Sequence, residues 1–354
     1  MYSREIHEPP KKLIKDGKPL FGTYSPLPKH MDIRGVKRPF ADLPLPPFIT
    51  NMRIRCSVSS LVQTDDFIIY FSILDVRFFS YTEVIFWNKK TGKKYPFRRV
   101  TGIRHRVVPK NLEKATAIIR SKKRYVRIKW DKPKNHISIV FNMNGDKLRP
   151  DISGSFVAQF DSRYHSELLT VMPSPAKSRC TALVQSTFPV EGTLFENRRD
   201  GTILPYDLEG QMALTIRRAY SKLRSQKETL CACGIINGKQ VYFHFTSTSA
   251  NTVEPDLYNE NLLVVDGEIT PLPGVKITHP YGLTNQWIIQ DTESMVDLSF
   301  TPVSDNLRNF SIFIIHAKLH TMYGLFNGNL LDKKGKTISI KDFSGIAKAQ
   351  RIRF

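Results

Sequence analysis

Disulfide chemistry is nearly absent from this sequence. Four cysteines among 354 residues, Cys56, Cys180, Cys231 and Cys233, are too few for a disulfide scaffold and suit a reduced chain. Long apolar runs are missing too. The longest, residues 67–74, is broken by Ser72 and falls far short of the ~20 residues of a membrane-spanning helix. The first ten residues contain no apolar stretch of the secretory kind. These shortages predict a soluble, cytoplasmic chain without a transmembrane segment. No Walker loop, Gly-x-Gly-x-x-Gly or Gly-x-Ser-x-Gly occurs, so the usual phosphate cradles and nucleophile elbow are excluded and no cofactor is expected. Ser, His and Asp residues are present, but no spacing singles out a triad.

Acidic residues are scarce as well: 32 Asp and Glu face 53 Lys and Arg, for a net charge of +21. The excess is concentrated. Residues 83–134 hold 18 basic side chains against Glu83, Glu113 and Asp131, a local excess of 15. Such a region attracts anionic partners (anionic lipid, nucleic acid or an acidic protein) or is simply a solvated face. Within it Arg124 to Trp130 alternates, with Tyr125, Arg127 and Lys129 on one face and Val126, Ile128 and Trp130 on the other. Arg98, Arg99, Lys122, Lys123, Arg124, Arg127 and Lys129 are therefore the candidate anion-binding residues, with Arg104 and Arg106 nearby. If strands bring them side by side, the protein could sit peripherally at a membrane surface.

What is abundant is short β pattern. With 41% hydrophobic and 11% aromatic residues the chain can bury a core. Prolines crowd residues 1–50 (Pro9-Pro10, Pro26, Pro28, Pro39, Pro46-Pro47), which predicts an extended arm on the surface. From Asn51 onward, alternating segments recur every ~8–12 residues with turn residues between them, the texture of an antiparallel sandwich or barrel. Residues 111–119 are compatible with a helical turn or two. Met212, Ile216, Ala219, Tyr220 and Leu223 fall at helical spacing and predict a helix over Glu209–Ser225, with Arg217 and Arg218 off that stripe. Residues 173–190, starting at Pro173, form the expected boundary between an N-terminal half, 51–185, and a C-terminal half, 186–354. The last third carries the clearest strands: Met295 to Phe300 alternates, residues 310–331 are rich in Ile and Phe, and Asp332-Lys333-Lys334-Gly335 reads as a hairpin turn.

Candidate chemistry is sparse. His316 and His320 share a face, but on a strand they stand roughly 13 Å apart, too far for one zinc at bonds of about 2 Å, so no metal is expected. A polar cavity lining is their other reading, shared with Lys318. Cys231-x-Cys233 puts two thiols on one strand face, as small apolar side chains or a reactive pair. Tyr258-Asn259-Glu260-Asn261 precedes the apolar Leu262-Leu263-Val264-Val265. It either satisfies turn backbone or faces a ligand, with Glu260 able to act as acid or base.

That last motif belongs to a longer series. Glu254-Pro255-x-x-Tyr258-Asn259-Glu260-Asn261, Trp287, Val296-Asp297-Leu298-Ser299-Phe300-Thr301-Pro302, Tyr323-Gly324-x-Phe326-x-Gly328 and Ile338-x-Ile340-x-Asp342-x-x-Gly345 occur in order. The series resembles the bacterial domain-of-unknown-function family numbered 2804, which is similar to the lipocalin-like group of hydroxyneurosporene synthase and tocopherol cyclase. The resemblance implies a mostly β, antiparallel protein with two calycin-like halves, few short helices and a cavity for an apolar or amphiphilic small molecule of lipid or isoprenoid kind. It makes Tyr258, Asn259, Glu260, Asn261, Trp287, His316 and His320 the candidate ligand-binding residues. An isomerase, cyclase or hydratase working through Glu260 and His320 is the enzymatic alternative. The chain departs from the family pattern, however. Thr215-Ile216-Arg217-Arg218-Ala219-Tyr220 stands where many members carry Asp-His-His-Lys-Gly-Tyr, Lys227 and Thr229 replace Trp, Lys348 replaces Glu, and Phe354 replaces a terminal Trp. A binder that has lost the family's acid–base groups is the resulting expectation.

Overall fold

The computed structural model describes residues 2–40, 45–76, 78–102, 107–174, 176–222, 224–247, 253–312 and 315–353, with backbone alone for Ile312 and Ile315. Arg104, Arg106, Leu223 and Phe354 lie outside the described residues.

The period-two pattern becomes two large antiparallel sheets. The first runs in the order Lys94–Thr101, Ser80–Asn88, Phe67–Asp75, Ile54–Thr64, Ile203–Tyr220, Thr181–Asn197, Asp151–Ala158, His136–Met143, Arg124–Asp131, Lys114–Arg120. The second runs Glu268–Pro271, Leu262–Val265, Lys239–Thr246, Arg224–Ile236, Thr337–Arg353, Ile315–Leu331, Val296–Asp305, Trp287–Asp291, Val275–Thr278. Each curls around its own apolar filling, as expected of two β halves. Val126, Ile128 and Trp130 point into the first filling, while Tyr125, Arg127 and Lys129 stay half-exposed. Phe71, Phe86, Phe141 and Phe156 fill the first half; Phe243, Phe326, Trp287 and Phe300 fill the second.

A third apolar layer joins the halves. Leu61, Ile68, Tyr70, Ile85, Trp87 and Ala213 of the first sheet meet Cys233, Tyr242, Leu262, Val264, Tyr323 and Ile346 of the second. The central strands are therefore buried on both faces, and their outward-pointing residues line the interface between halves.

The expected helix over Glu209–Ser225 is a strand. Ile203–Tyr220 pairs along its whole length with Thr181–Asn197 and, from Gly210 on, with Ile54–Thr64. Met212, Ile216 and Tyr220 lie four apart, and four is an even number, so the spacing that suggested a helix also keeps them on one strand face. Leu214 completes that inner row, while Ala219 falls on the other face. Residues 111–119 likewise give a turn and a strand: the Asn111 side chain accepts from the Glu113 and Lys114 amides, and Lys114–Arg120 follows. Helix is confined, among the described residues, to Pro47–Met52 and the 3-10 turn Lys132–Lys134. None is long and apolar enough to cross a membrane.

The passage between halves also lies later than expected. Thr181–Asn197 and Ile203–Tyr220 both belong to the first sheet, and the chain crosses between Tyr220 and Arg224, not at 173–190. Nor is the proline-rich arm purely superficial. Gly22–Tyr24 pairs with Ser166–Met172, and Leu13, Met31, Ile33 and Phe40 plug the first half.

The first sheet has two ends to protect. On the edge strand Lys94–Thr101, the carbonyls of Pro96 and Arg98 accept from the guanidinium groups of Arg149 and Arg124. Both cations also lie over the buried Phe97 ring, at 5.1 and 5.7 Å. Arginines thus close a seam that strand pairing leaves open.

Phe141 packs against Phe71, Phe86 and Phe156 with ring centroids 5.2, 5.6 and 6.0 Å away. Phe141→Ala should cost about 3–5 kcal/mol, read as a lower urea midpoint with unchanged m-value.

Candidate functional site

The two-face burial of the central strands decides which side chains meet. Thr215 and Arg217 project from Ile203–Tyr220 toward the second sheet. Lys227, Thr229 and Cys231 project back from Arg224–Ile236, and Lys348 from Thr337–Arg353. Tyr242 and His244 come from Lys239–Thr246, and Glu260 from the segment before Leu262–Val265. They surround a cavity of about 260 Å³ whose apolar wall includes Leu61, Leu183, Leu319 and Ile352. The expected cavity inside a barrel is not where the space is: aromatic rings fill both halves, and this cavity lies between them. A larger groove of about 1170 Å³ is also present, but its carboxylates Asp65, Glu191, Glu209 and Asp342 face water.

Glu260 is the electrostatic centre. Its carboxylate accepts from Arg217 Nη1 at 3.0 and 2.9 Å and from Lys227 Nζ at 2.6 Å. Burial alone would raise its pKa, but Arg217 and Lys227 override this and hold it well below the carboxylate range. Lys227 is pulled down to about 7, first by burial and then by repulsion from Arg217, against the attraction of Glu260. Its side chain lines the cavity.

The neighbours are set by the same burial. His244 falls to about 3 and is neutral; its Nδ1 is buried without a partner. Lys348 donates to the Tyr70 hydroxyl at 2.9 Å. Burial works against its charge, yet Tyr70 and Cys231 leave its pKa above the ordinary value. Burial pushes the Tyr242 hydroxyl well above its ordinary value and the Cys231 thiol up to about 11. On the far wall, buried Glu83 pairs with Arg308 at 2.6 Å and Arg98 at 3.1 Å, and Arg308 reaches Thr321 at 2.9 Å. Arg217, Lys222, Lys227, Arg308 and Lys348 thus face the cavity with, among the described residues, the carboxylates Glu83 and Glu260.

The signature splits at Glu260. Asn259 donates to the Pro255 carbonyl and accepts from the Asn261 amide; Asn261 bridges the Thr246 amide and the Pro273 carbonyl. Arg4 holds both asparagine carbonyls, and Tyr258 packs on Phe21 at 5.6 Å. These side chains build the turn and Glu260 alone enters the cavity. Trp287 is core, its indole donating to Leu283 O at 2.8 Å. His316 is exposed and bonded to Ser311. His320 pairs with Asp305 at 2.6 Å and points away from the cavity, on the strand face opposite Leu319 and Thr321. Glu260 and His320 do not converge. Among the described residues no three His, Cys, Asp or Glu side chains gather as metal ligands would.

The basic candidates also divide. Arg98 turns to Glu83, and Arg124 to Arg98 O. Arg99, Lys122 and Lys123 are exposed, and Arg127 and Lys129 lie on the outer face beside the neutral row Asn142, Val140 and Ser138. They do not form side-by-side basic rows.

Arg217, Lys227, His244, Lys348 and Tyr70 are the site residues that sequence reading missed. A usable signal existed: Thr215, Arg217, Lys227, Thr229 and Lys348, all departures from the family pattern, line this one cavity.

Glu260→Gln leaves two part-buried cations with no carboxylate and should destabilise the fold by about 2–3 kcal/mol. Because the folded pKa lies below the ordinary 4.5, the carboxylate's contribution is present above that pH and lost as pH falls below it. Melting curves from about pH 7 to about pH 3 should show Glu260→Gln losing part of the wild-type acid sensitivity.

No curated protein matches the chain. Among solved structures it is similar to kievitone hydratase from Nectria haematococca, with 11% identity and a TM-score of 0.45, covering 85% of this chain and 88% of that one. A far lower similarity links it to OmpT, an outer membrane protein of Vibrio cholerae: 6% identity, TM-score 0.12, 85% of this chain and 96% of that one. One family model runs the length of the molecule, across both sheets and through the Glu260 motif: the chain belongs to the family described as Domain of unknown function (DUF2804), matched over residues 3–354.

Proposed function

We propose that this protein binds a small amphiphile with an anionic head in the cavity between its halves. The observation that carries the reading is the excess of part-buried cations over carboxylates on a wall of apolar and hydroxyl side chains. Buried cations without enough counter-charge are costly, and an anionic ligand supplies what is missing. A volume of about 260 Å³ lies just under the roughly 300–1,000 Å³ of typical ligand pockets, which favours a short chain over a long lipid.

Acid–base catalysis by Glu260 is the poorer reading. A carboxylate held ionised by Arg217 and Lys227 has no proton to give and little basicity. His320 stands on the wrong side of its strand to assist. A polyanion surface over residues 83–134 is also less favoured, since Lys110, Lys114 and Lys132 pair with Asp32, Asp131 and Glu167.

Calorimetric titration with octanoate and octanol tests the proposal. Octanoate should bind more tightly than octanol. Lys348→Met should weaken octanoate roughly tenfold or more, the worth of a charge-assisted hydrogen bond, and change octanol little. Equal affinity for acid and alcohol, or no binding of either, would overturn the reading.

A further inference from the structure

The ε-amine of Lys227 has no role in holding an anionic head that Lys348 could not fill alone. Its surroundings suit another task. Lys227 and Arg217 contact one buried carboxylate, and Arg217 alone already gives Glu260 two hydrogen-bond contacts. A third cation stands close by. The strand register pairs Thr229 with Lys348 and Lys227 with Gln350, so Lys348 is the diagonal neighbour of Lys227 on the same sheet face, roughly 7–8 Å away at the backbone. Two cations on one buried carboxylate, with a third nearby in the same part-buried cavity, leave positive charge in excess. Loss of one proton relieves it. Arg217 cannot lose its proton, and Lys348 keeps its own on the Tyr70 hydroxyl. Lys227 is the group left to yield, and its low pKa agrees. A neutral buried amine beside a second cation is an activated nucleophile toward carbonyl carbon.

We infer that Lys227 binds the carbonyl group of a short-chain oxo acid as an imine, with the acid's carboxylate held by Lys348. This rests on the cavity reading above and specifies its ligand. The balance is simple. The amine nitrogen adds to the carbonyl carbon, the oxygen takes both amine protons, and water leaves as the C=N bond forms. No oxidant or reductant takes part. The Cys231 thiol does not compete, because burial keeps it protonated. The apolar wall of Leu61, Leu183 and Leu319 receives the chain of the oxo acid.

The probe is 2-oxooctanoate with sodium cyanoborohydride, which reduces an imine to a stable amine, followed by peptide mass mapping of the intact wild-type protein. One adduct at Lys227 is expected. Its yield should rise as pH passes through about 7, whereas a surface lysine would require about 10.4. Lys227→Arg still donates to Glu260 but cannot form the imine, and Lys227→Gln removes the amine without adding a fixed charge, so both should lose the adduct. Lys348→Met should lower the yield at Lys227 roughly tenfold, the loss of one charge-assisted hydrogen bond. Labelling spread over surface lysines, labelling at Lys348, or an unchanged adduct mass in Lys227→Arg would each overturn the inference. Octanoate titration of the same preparations separates the two claims. Octanoate binding without a Lys227 adduct removes the imine and leaves the cavity reading standing; a Lys227 adduct without octanoate binding does the reverse.

Discussion

The contact between Glu260 and Arg217 is the constraint on which the interior depends. It joins a buried carboxylate of the C-terminal half to a part-buried guanidinium of the N-terminal half. Their desolvation is repaid only in one geometry, so the two sheets cannot slide against each other without separating charges in an apolar medium. The apolar layer of Trp87, Tyr242, Leu262 and Tyr323 tolerates small shifts; the ion pair does not. Burial holds the halves together and the ion pair sets their register.

That register has chemical consequences. Because the central strands are buried on both faces, every second residue is committed either to a half's own filling or to the space between halves. Met212, Leu214 and Ile216 take the first option, Thr215 and Arg217 the second. The turn made by Asn259 and Asn261, clamped by Arg4 from the N-terminal arm, aims Glu260 into that space. Arg4 itself is part-buried, and desolvation lowers its pKa.

Two of the positions at which the sequence departs from the expected family pattern, Arg217 in place of a polar residue and Lys227 in place of Trp, share one carboxylate in the fold. Adding Lys348 overloads the cavity with positive charge. Anion binding and a deprotonated amine are two responses to that one imbalance: the first adds the missing negative charge, the second removes a positive one.

Much of the fold was legible in the chain because strand periodicity is local. Val126, Ile128 and Trp130 turn inward as their alternation required, and the family motifs of the last third marked real strands. The helix expected over Glu209–Ser225 failed because Met212, Ile216 and Tyr220 satisfy both periods; hydrogen bonds to Thr181–Asn197 and Ile54–Thr64 made the choice. The site was legible only at Glu260. Arg217, Lys227 and Lys348 lie in three separate strands, and their separation along the chain hides that they share one carboxylate and one cavity. Sequence alone determined which residues alternate and where charge accumulates. Tertiary structure decided which face each charge occupies, because only the packing of one curled sheet on the other removes water from Glu260 and the cations around it.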